Sequence, residues 1–215
     1  MAREVRTLDD APAVTGPAVA DPAPLGLAGF ALTTVLLSAN NANLIHSGSL
    51  AFVGMALFYG GLGQFMAGMW EFKNRNTFGA TAFSSYGAFW MGLGIMVVFD
   101  VLGGHPKTPF FAGDGAIWFL FLWAVFTTYM FVASLRVSAA VAVVFVLLAL
   151  TFWALWLGAM NGSTAGHGMT GIGGMLGILT AIAAFYTSFA GVANSTFGRV
   201  VLPVVPLNRP LLKNT

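Results

Sequence analysis

Phe30, Thr33, Thr34, Leu37, Asn40 and Asn41 recur at helical spacing inside one apolar stretch. A single helical stripe therefore carries both apolar side chains and neutral hydrogen-bonding groups. Gln64 and Glu71 stand seven positions apart, which places them on one face of a second helix. Polar groups within a membrane span face the bundle interior or a wet cavity. A pathway lined by neutral donors and acceptors and interrupted by apolar side chains suits a small, weakly polar solute. The same residues also serve as helix-to-helix hydrogen bonds, so the pattern alone leaves both uses open.

The missing residues narrow the chemistry further. No Asp, Glu, Lys, Arg or His falls near the middle of any apolar stretch; Glu71 and Asp100 sit at the ends of theirs. A charged group at mid-membrane costs roughly 2.5–3.5 kcal/mol on insertion scales, a cost that proton-coupled carriers accept to build a carboxylate relay. No such relay is written in these spans, which favours a channel-like pathway. His46, His105 and His167 lie outside the spans at spacings that form no zinc constellation. There is no cysteine, so disulfides and thiol chemistry are excluded. No nucleophile, base and orienting group stand together, so an enzyme is not expected, nor a metal or cofactor.

The elements that must position these residues follow from composition. Of 215 residues 58% are hydrophobic and only 7% charged, against about 25% charged in an ordinary soluble domain. So few charges cannot cover a water-facing surface, so the expected solvent is lipid and the expected fold is all-α. Six apolar segments, each near the ~20 residues a crossing needs, run about 24–44, 49–70, 78–99, 116–135, 138–158 and 168–194. They predict a six-helix transmembrane bundle over 21–203, a flexible tail over 1–20 and a second tail over 204–215. Asp21 can cap the first helix while Pro22 fills its first turn. With six crossings, Arg3, Arg6, Lys73, Arg75, Arg136, Arg199, Arg209 and Lys213 share one side and Lys107 stands on the other. That asymmetry predicts a multi-pass plasma (inner) membrane protein with both termini cytoplasmic. It places Glu71, Lys73 and Arg75 at the inner face, as a turn or an inner mouth, and the three histidines outside. The net charge of +2 is too small and dispersed for a nucleic-acid partner. The 27 glycines let helix backbones approach closely, within one bundle or between subunits.

Two regions carry a resemblance. The first helix opens Asp21-Pro22-Ala23-Pro24-Leu25-Gly26-Leu27, and the second turn reads Glu71-Phe72-Lys73-Asn74-Arg75-Asn76-Thr77-Phe78-Gly79, followed by Ser84-Ser85-Tyr86-Gly87 before Trp90. Together they resemble the acetate uptake transporter family of bacterial succinate–acetate permeases and fungal acetate transporters. The family signature Asn-Pro-Ala-Pro-Leu-Gly-Leu is matched from Pro22 to Leu27, so Pro22, Pro24, Leu25, Gly26 and Leu27 are its signature positions here. Phe197-Gly198-Arg199-Val200-Val201-Leu202-Pro203 is similar to the family's closing motif. The chain departs from the pattern with Asp21 in place of Asn, which adds a negative charge at the inner mouth, and with Ser38-Ala39-Asn40-Asn41 where bacterial permeases have Asn-Leu-His-Asn.

The resemblance implies transport of acetate and related small carboxylates, succinate among them. It implies a homohexamer in lipid, each protomer enclosing its own pathway with a narrow apolar constriction. By motif Phe30 and Tyr86 belong to that constriction, and ungapped alignment from Trp123 onward adds Leu148. Thr33, Thr34, Asn40, Asn41, Gln64 and Ser85 are then the expected polar lining. With no carboxylate relay in the spans, any proton would travel on the acid itself. Two other readings compete: a urea or short-chain amide channel of similar architecture, and a membrane sensor without flux.

Overall fold

The computed structural model describes residues 19–104 and 109–208. It contains six helices long and apolar enough to cross a membrane: α1 Ala23–Asn41, α2 Ala51–Lys73, α3 Thr77–Leu102, α4 Gly113–Ser134, α5 Ala139–Met160 and α6 Gly168–Phe197. The bounds fall within a few residues of those expected from hydropathy. Alternating crossings put the start of α1 and the end of α6 on one face, together with the α2–α3 and α4–α5 turns. That face is called here the terminal face, and the opposite one the distal face.

The start of α1 differs from expectation by one residue. Pro22 occupies the cap position with dihedrals already near-helical (φ −82°, ψ −11°). Asp21 therefore reaches the first turn from one position further back, its Oδ1 accepting from the Ala23 N–H at 2.9 Å. The rest of the signature stretch packs. Pro24 O accepts from the Ser188 hydroxyl of α6 at 2.7 Å. Gly26 faces the Phe83 ring of α3 so closely that a Cβ there would sit 2.6 Å from a ring carbon. Gly26→Ala is expected to lower stability by about 1–3 kcal/mol, the usual cost of overpacking. Thermal unfolding in detergent measures it; an unchanged melting temperature would show that Phe83 simply swings aside.

α2 is not uniform. Its middle, Phe58–Gly63, winds as a π-helix, a form the hydropathy pattern cannot reveal. Gly60 lies there against Thr33 of α1, and Gly61 against Met91 of α3, with no space for a Cβ at either. Glycines of α6 act likewise: Gly174 and Gly177 lie against the distal half of α1, and Gly173 against Leu155 of α5. These glycines therefore serve contacts inside the bundle. Around it, α4 packs on α5, α5 on α6, α6 on α1, and α1 and α3 both on α2. The ring closes between α3 and α4, whose backbones barely touch. Aromatic side chains span that gap instead: Phe89 stacks on Phe119 at 5.6 Å and meets Trp123 at 4.9 Å between ring centroids.

Large apolar side chains such as Trp118, Leu122, Ile182 and Phe189 are exposed on the bundle's outside, as expected where the solvent is lipid. At the terminal face Gly198 takes the left-handed conformation (φ 62°) that ends α6. The chain then turns back. Asn194 holds Val201 and Leu202 through three hydrogen bonds, and the Tyr186 hydroxyl donates to Pro203 O at 2.7 Å. Residues 204–207 then run antiparallel to the α4–α5 turn, with Ala139 N–H donating to Val205 O and Leu207 N–H to Val137 O. Of the residues used to orient the chain, Arg3, Arg6, Lys107, Arg209 and Lys213 lie outside the described residues, as does His105.

Candidate functional site: a cavity ending on an apolar ring

A cavity of about 410 Å³ occupies the distal half of the bundle. Every helix contributes to its wall, with Asn40, Asn41 and Ser163 at its distal end. Its depth is set by three residues. Phe30 on α1, Tyr86 on α3 and Leu148 on α5 are, on each of those helices, the last lining residue toward the terminal face. All three are buried, with 5%, 2% and 4% exposure. Phe30 and Tyr86 meet edge to face with centroids 6.0 Å apart. The three expected constriction residues thus line one cavity, at its edge toward the terminal face. Below them Phe78 and Phe145 pack edge to face at 5.2 Å.

Tyr86 is held in place by a residue the sequence did not single out. Its hydroxyl lies 2.8 Å from the Thr127 hydroxyl of α4, and its ring is flanked by Trp123 and Phe126. This pair crosses the α3–α4 gap, so the ring position depends on two helices that otherwise scarcely meet.

The expected polar lining divides. Thr34, Asn40 and Asn41 line the cavity; Thr33, Gln64 and Ser85 are not among its wall residues. Thr33 points at α2, fully buried, its hydroxyl donating to Gly29 O at 2.9 Å. Adjacent residues on a helix differ by about 100° in direction, so of Thr33 and Thr34 only one can face the bore. Gln64 is buried with 1% exposure, and Ser85 is half-buried.

Two cavity groups stand apart energetically. Buried helical threonines ordinarily return their hydroxyl to the carbonyl four residues back; Thr33, Thr151, Thr180 and Thr187 do so. Thr34, 4% exposed, does not, and its Oγ1 has no partner among the described residues. Trp90, 3% exposed, also lines the cavity with an Nε1–H that has no partner among them, whereas Trp153 Nε1–H donates to the Thr128 hydroxyl. A buried polar group left unpaired costs about 1–3 kcal/mol. Both groups belong to residues of one cavity wall. Trp90 was in reach of sequence reasoning, being one turn beyond Tyr86. Among the described residues no Asp, Glu, Lys, Arg or His lines the cavity.

Glu71 sits at the terminal end of α2, 2% exposed, and its Oε2 accepts from the Asn76 amide at 3.0 Å. Lys73 and Arg75 are exposed and among the described residues neither bonds it. Asn76 also caps α3 by accepting from Gly79 N–H, so it ties the turn to both helices. His46 and His167 are exposed and do not line the cavity. Changing His46, His105 and His167 together to Gln is therefore expected to leave the dependence of uptake on external pH unaltered. A displaced profile in that variant would make the histidines sensors.

Comparison with known proteins decides the family. Residues 8–209 match the GPR1/FUN34/yaaH family. The chain belongs to the GPR1/FUN34/yaaH family. Within it the chain is 37% identical to the succinate-acetate/proton symporter SatP of Escherichia coli, over 86% of this chain and 95% of that protein. It is 40% identical to acetate permease A of Emericella nidulans, over 86% of this chain and 65% of that one. The solved structure of the bacterial acetate channel SatP superposes with a TM-score of 0.79 at 37% identity, covering 87% of this chain and 99% of that chain.

Proposed function

We propose that this chain carries acetate and related small carboxylates across a membrane, with succinate among the candidates. The observation that carries this reading is the pair of unpartnered donors, Thr34 and Trp90, in a cavity that ends on the Phe30–Tyr86–Leu148 ring. A hydroxyl and an indole N–H are the donor types a carboxylate needs, and hydrogen bonds to a charged acceptor are the stronger kind. The walls around them are aromatic and aliphatic, which suits the short alkyl end of such an acid. The family relatives named for acetate support the same reading.

In this reading the solute enters from the distal face, is held beside Thr34 and Trp90, and passes the ring toward the terminal face. Phe30, Tyr86 and Leu148 set the permitted cross-section. The terminal face is cytoplasmic, as the distribution of basic residues supports, and the membrane is the plasma (inner) membrane. Six protomers assemble, each with its own pathway, and residues 21–203 form the transport domain. No covalent step is assigned to any residue.

The test is solute uptake into vesicles that contain the purified chain. Saturable uptake of radiolabelled acetate above protein-free vesicles, with urea at the protein-free level, is the expected result. Urea uptake in place of acetate would favour an amide channel, and acetate binding without flux would favour a sensor.

A further inference from the structure

The two ends of Tyr86 are anchored on different helices. At the backbone, its neighbour Gly87 is pressed onto α2, where a Cβ would sit 2.6 Å from the Phe65 nitrogen. Gly61 of α2 against Met91, and Gly68 of α2 against Ser84, fix α3 to the same helix. At the tip, the phenol meets the Thr127 hydroxyl of α4 at 2.8 Å. Among the described residues this is the one hydrogen bond between α3 and α4, whose backbones barely touch. One side of α3 is therefore held by close backbone packing. The other side is held by a layer of aromatic rings and a single polar link.

Thr127 differs from the other helical threonines in how it uses its hydroxyl. Thr33, Thr151, Thr180 and Thr187 donate to the carbonyl four residues back, and so does Thr128, next in sequence, to Ala124 O at 2.7 Å. Thr127, with 0% exposure, makes no such bond to Trp123 O; its hydroxyl serves Tyr86. The pairing is asymmetric. Deprived of Tyr86, Thr127 still has the ordinary back-bond open to it. Deprived of Thr127, the phenol has no second partner among the described residues. The groups packed on its ring are Phe30, Trp123, Phe126 and Phe145, with centroids 5.4–6.1 Å away. A buried hydroxyl left unpaired is costly enough to displace its side chain, and the nearest open space is the cavity that Tyr86 already lines.

Resting on the acetate reading, we propose that Thr127 is a positioning residue for transport, which draws the Tyr86 phenol toward α4 and so keeps the ring passable. The bond holds the hydroxyl in the α3–α4 gap, away from Phe30 and Leu148. Without it the tyrosine turns its hydroxyl into the cavity and obstructs the ring from above. Thr34 and Trp90 are untouched by that movement, so passage slows while the hold on the solute is unchanged. Thr127 is not among the cavity's wall residues; it acts through Tyr86.

The test is the concentration dependence of radiolabelled acetate uptake into vesicles, expressed per assembled protomer, with the melting temperature read on the same preparations. Thr127→Val keeps the shape and removes the hydroxyl. Its maximal rate falls by about 5-fold or more, since an orphaned buried hydroxyl shifts a balance between two positions by at least that factor. The acetate concentration for half-maximal uptake stays at the wild-type value. Thr127→Ser, which keeps the hydroxyl, holds the maximal rate. Adding Tyr86→Phe to Thr127→Val raises the maximal rate again, because replacing both partners by apolar groups of like shape leaves nothing unpaired. Thr127→Cys, a weaker donor, loses rate in the same direction and decides the matter if Thr127→Val does not assemble. A threonine that only held the fold would move the melting temperature through this series and leave the rate per protomer alone. A wild-type maximal rate in assembled Thr127→Val, a loss that Tyr86→Phe does not relieve, or a raised half-maximal concentration at an unchanged maximal rate overturns the positioning role. Absence of saturable acetate uptake by the wild type overturns the transport reading on which it rests.

Discussion

In Leu148→Ala, uptake of lactate relative to acetate rises by about 10- to 200-fold, the range over which an apolar pocket discriminates one small group. Leu148 is buried where the cavity ends, and it stands there with Phe30 and Tyr86. Phe30 is fixed by its edge-to-face contact with Tyr86, and Tyr86 by the Thr127 hydroxyl. Of the three, Leu148 is the member whose truncation widens the ring without removing that support. Removing its isobutyl group also leaves a cavity, at a cost of about 2–5 kcal/mol in stability, so assembly must be verified alongside uptake. An unchanged lactate-to-acetate ratio in correctly assembled protein would show that solute size is sensed elsewhere.

The second large effect has opposite signs on affinity and stability. Thr34→Val combined with Trp90→Phe raises the acetate concentration for half-maximal uptake by about 100-fold or more, since two hydrogen bonds to a charged group are lost and each contributes roughly 1.5–3 kcal/mol. Neither residue has a partner to lose within the described residues, and valine keeps the shape of threonine. Burial of two unpaired polar groups ends, so the melting temperature stays level or rises. Uptake kinetics and thermal unfolding on one preparation check both halves. Falling stability together with falling affinity would show that the two groups hold the fold and do not hold the solute.

The helices were legible in the sequence because apolar runs of crossing length are separated by charged or glycine-rich turns. The start of α6 at Gly168 was read to the residue. The π-helical segment was not, because its cause is long-range: Gly60 against Thr33, Gly61 against Met91. Phe30 and Tyr86 were reached through motifs and Leu148 through alignment, and the structure sets all three at the end of one cavity. The polar stripe on α1 was read too wide. Thr33 and Thr34 both fit a helical stripe, but only the packing of α2 decides that Thr33 turns away. The contacts of the charged turn were not legible either. Glu71 precedes two basic residues in sequence, yet Arg75 adopts a left-handed conformation (φ 58°) that closes the turn and brings Asn76, not a cation, to the carboxylate. The free N–H of Trp90 carries no sequence signal, since it depends on which neighbours fail to bond it.

Acetate flux through the ring is tested most directly by plugging it. Wild type and Leu148→Trp, each reconstituted into vesicles and shown to be assembled, are compared for radiolabelled acetate and urea uptake against protein-free vesicles. The account predicts acetate uptake above background in the wild type, acetate at background in Leu148→Trp, and urea at background in both. Wild-type acetate uptake by the plugged protein would contradict it.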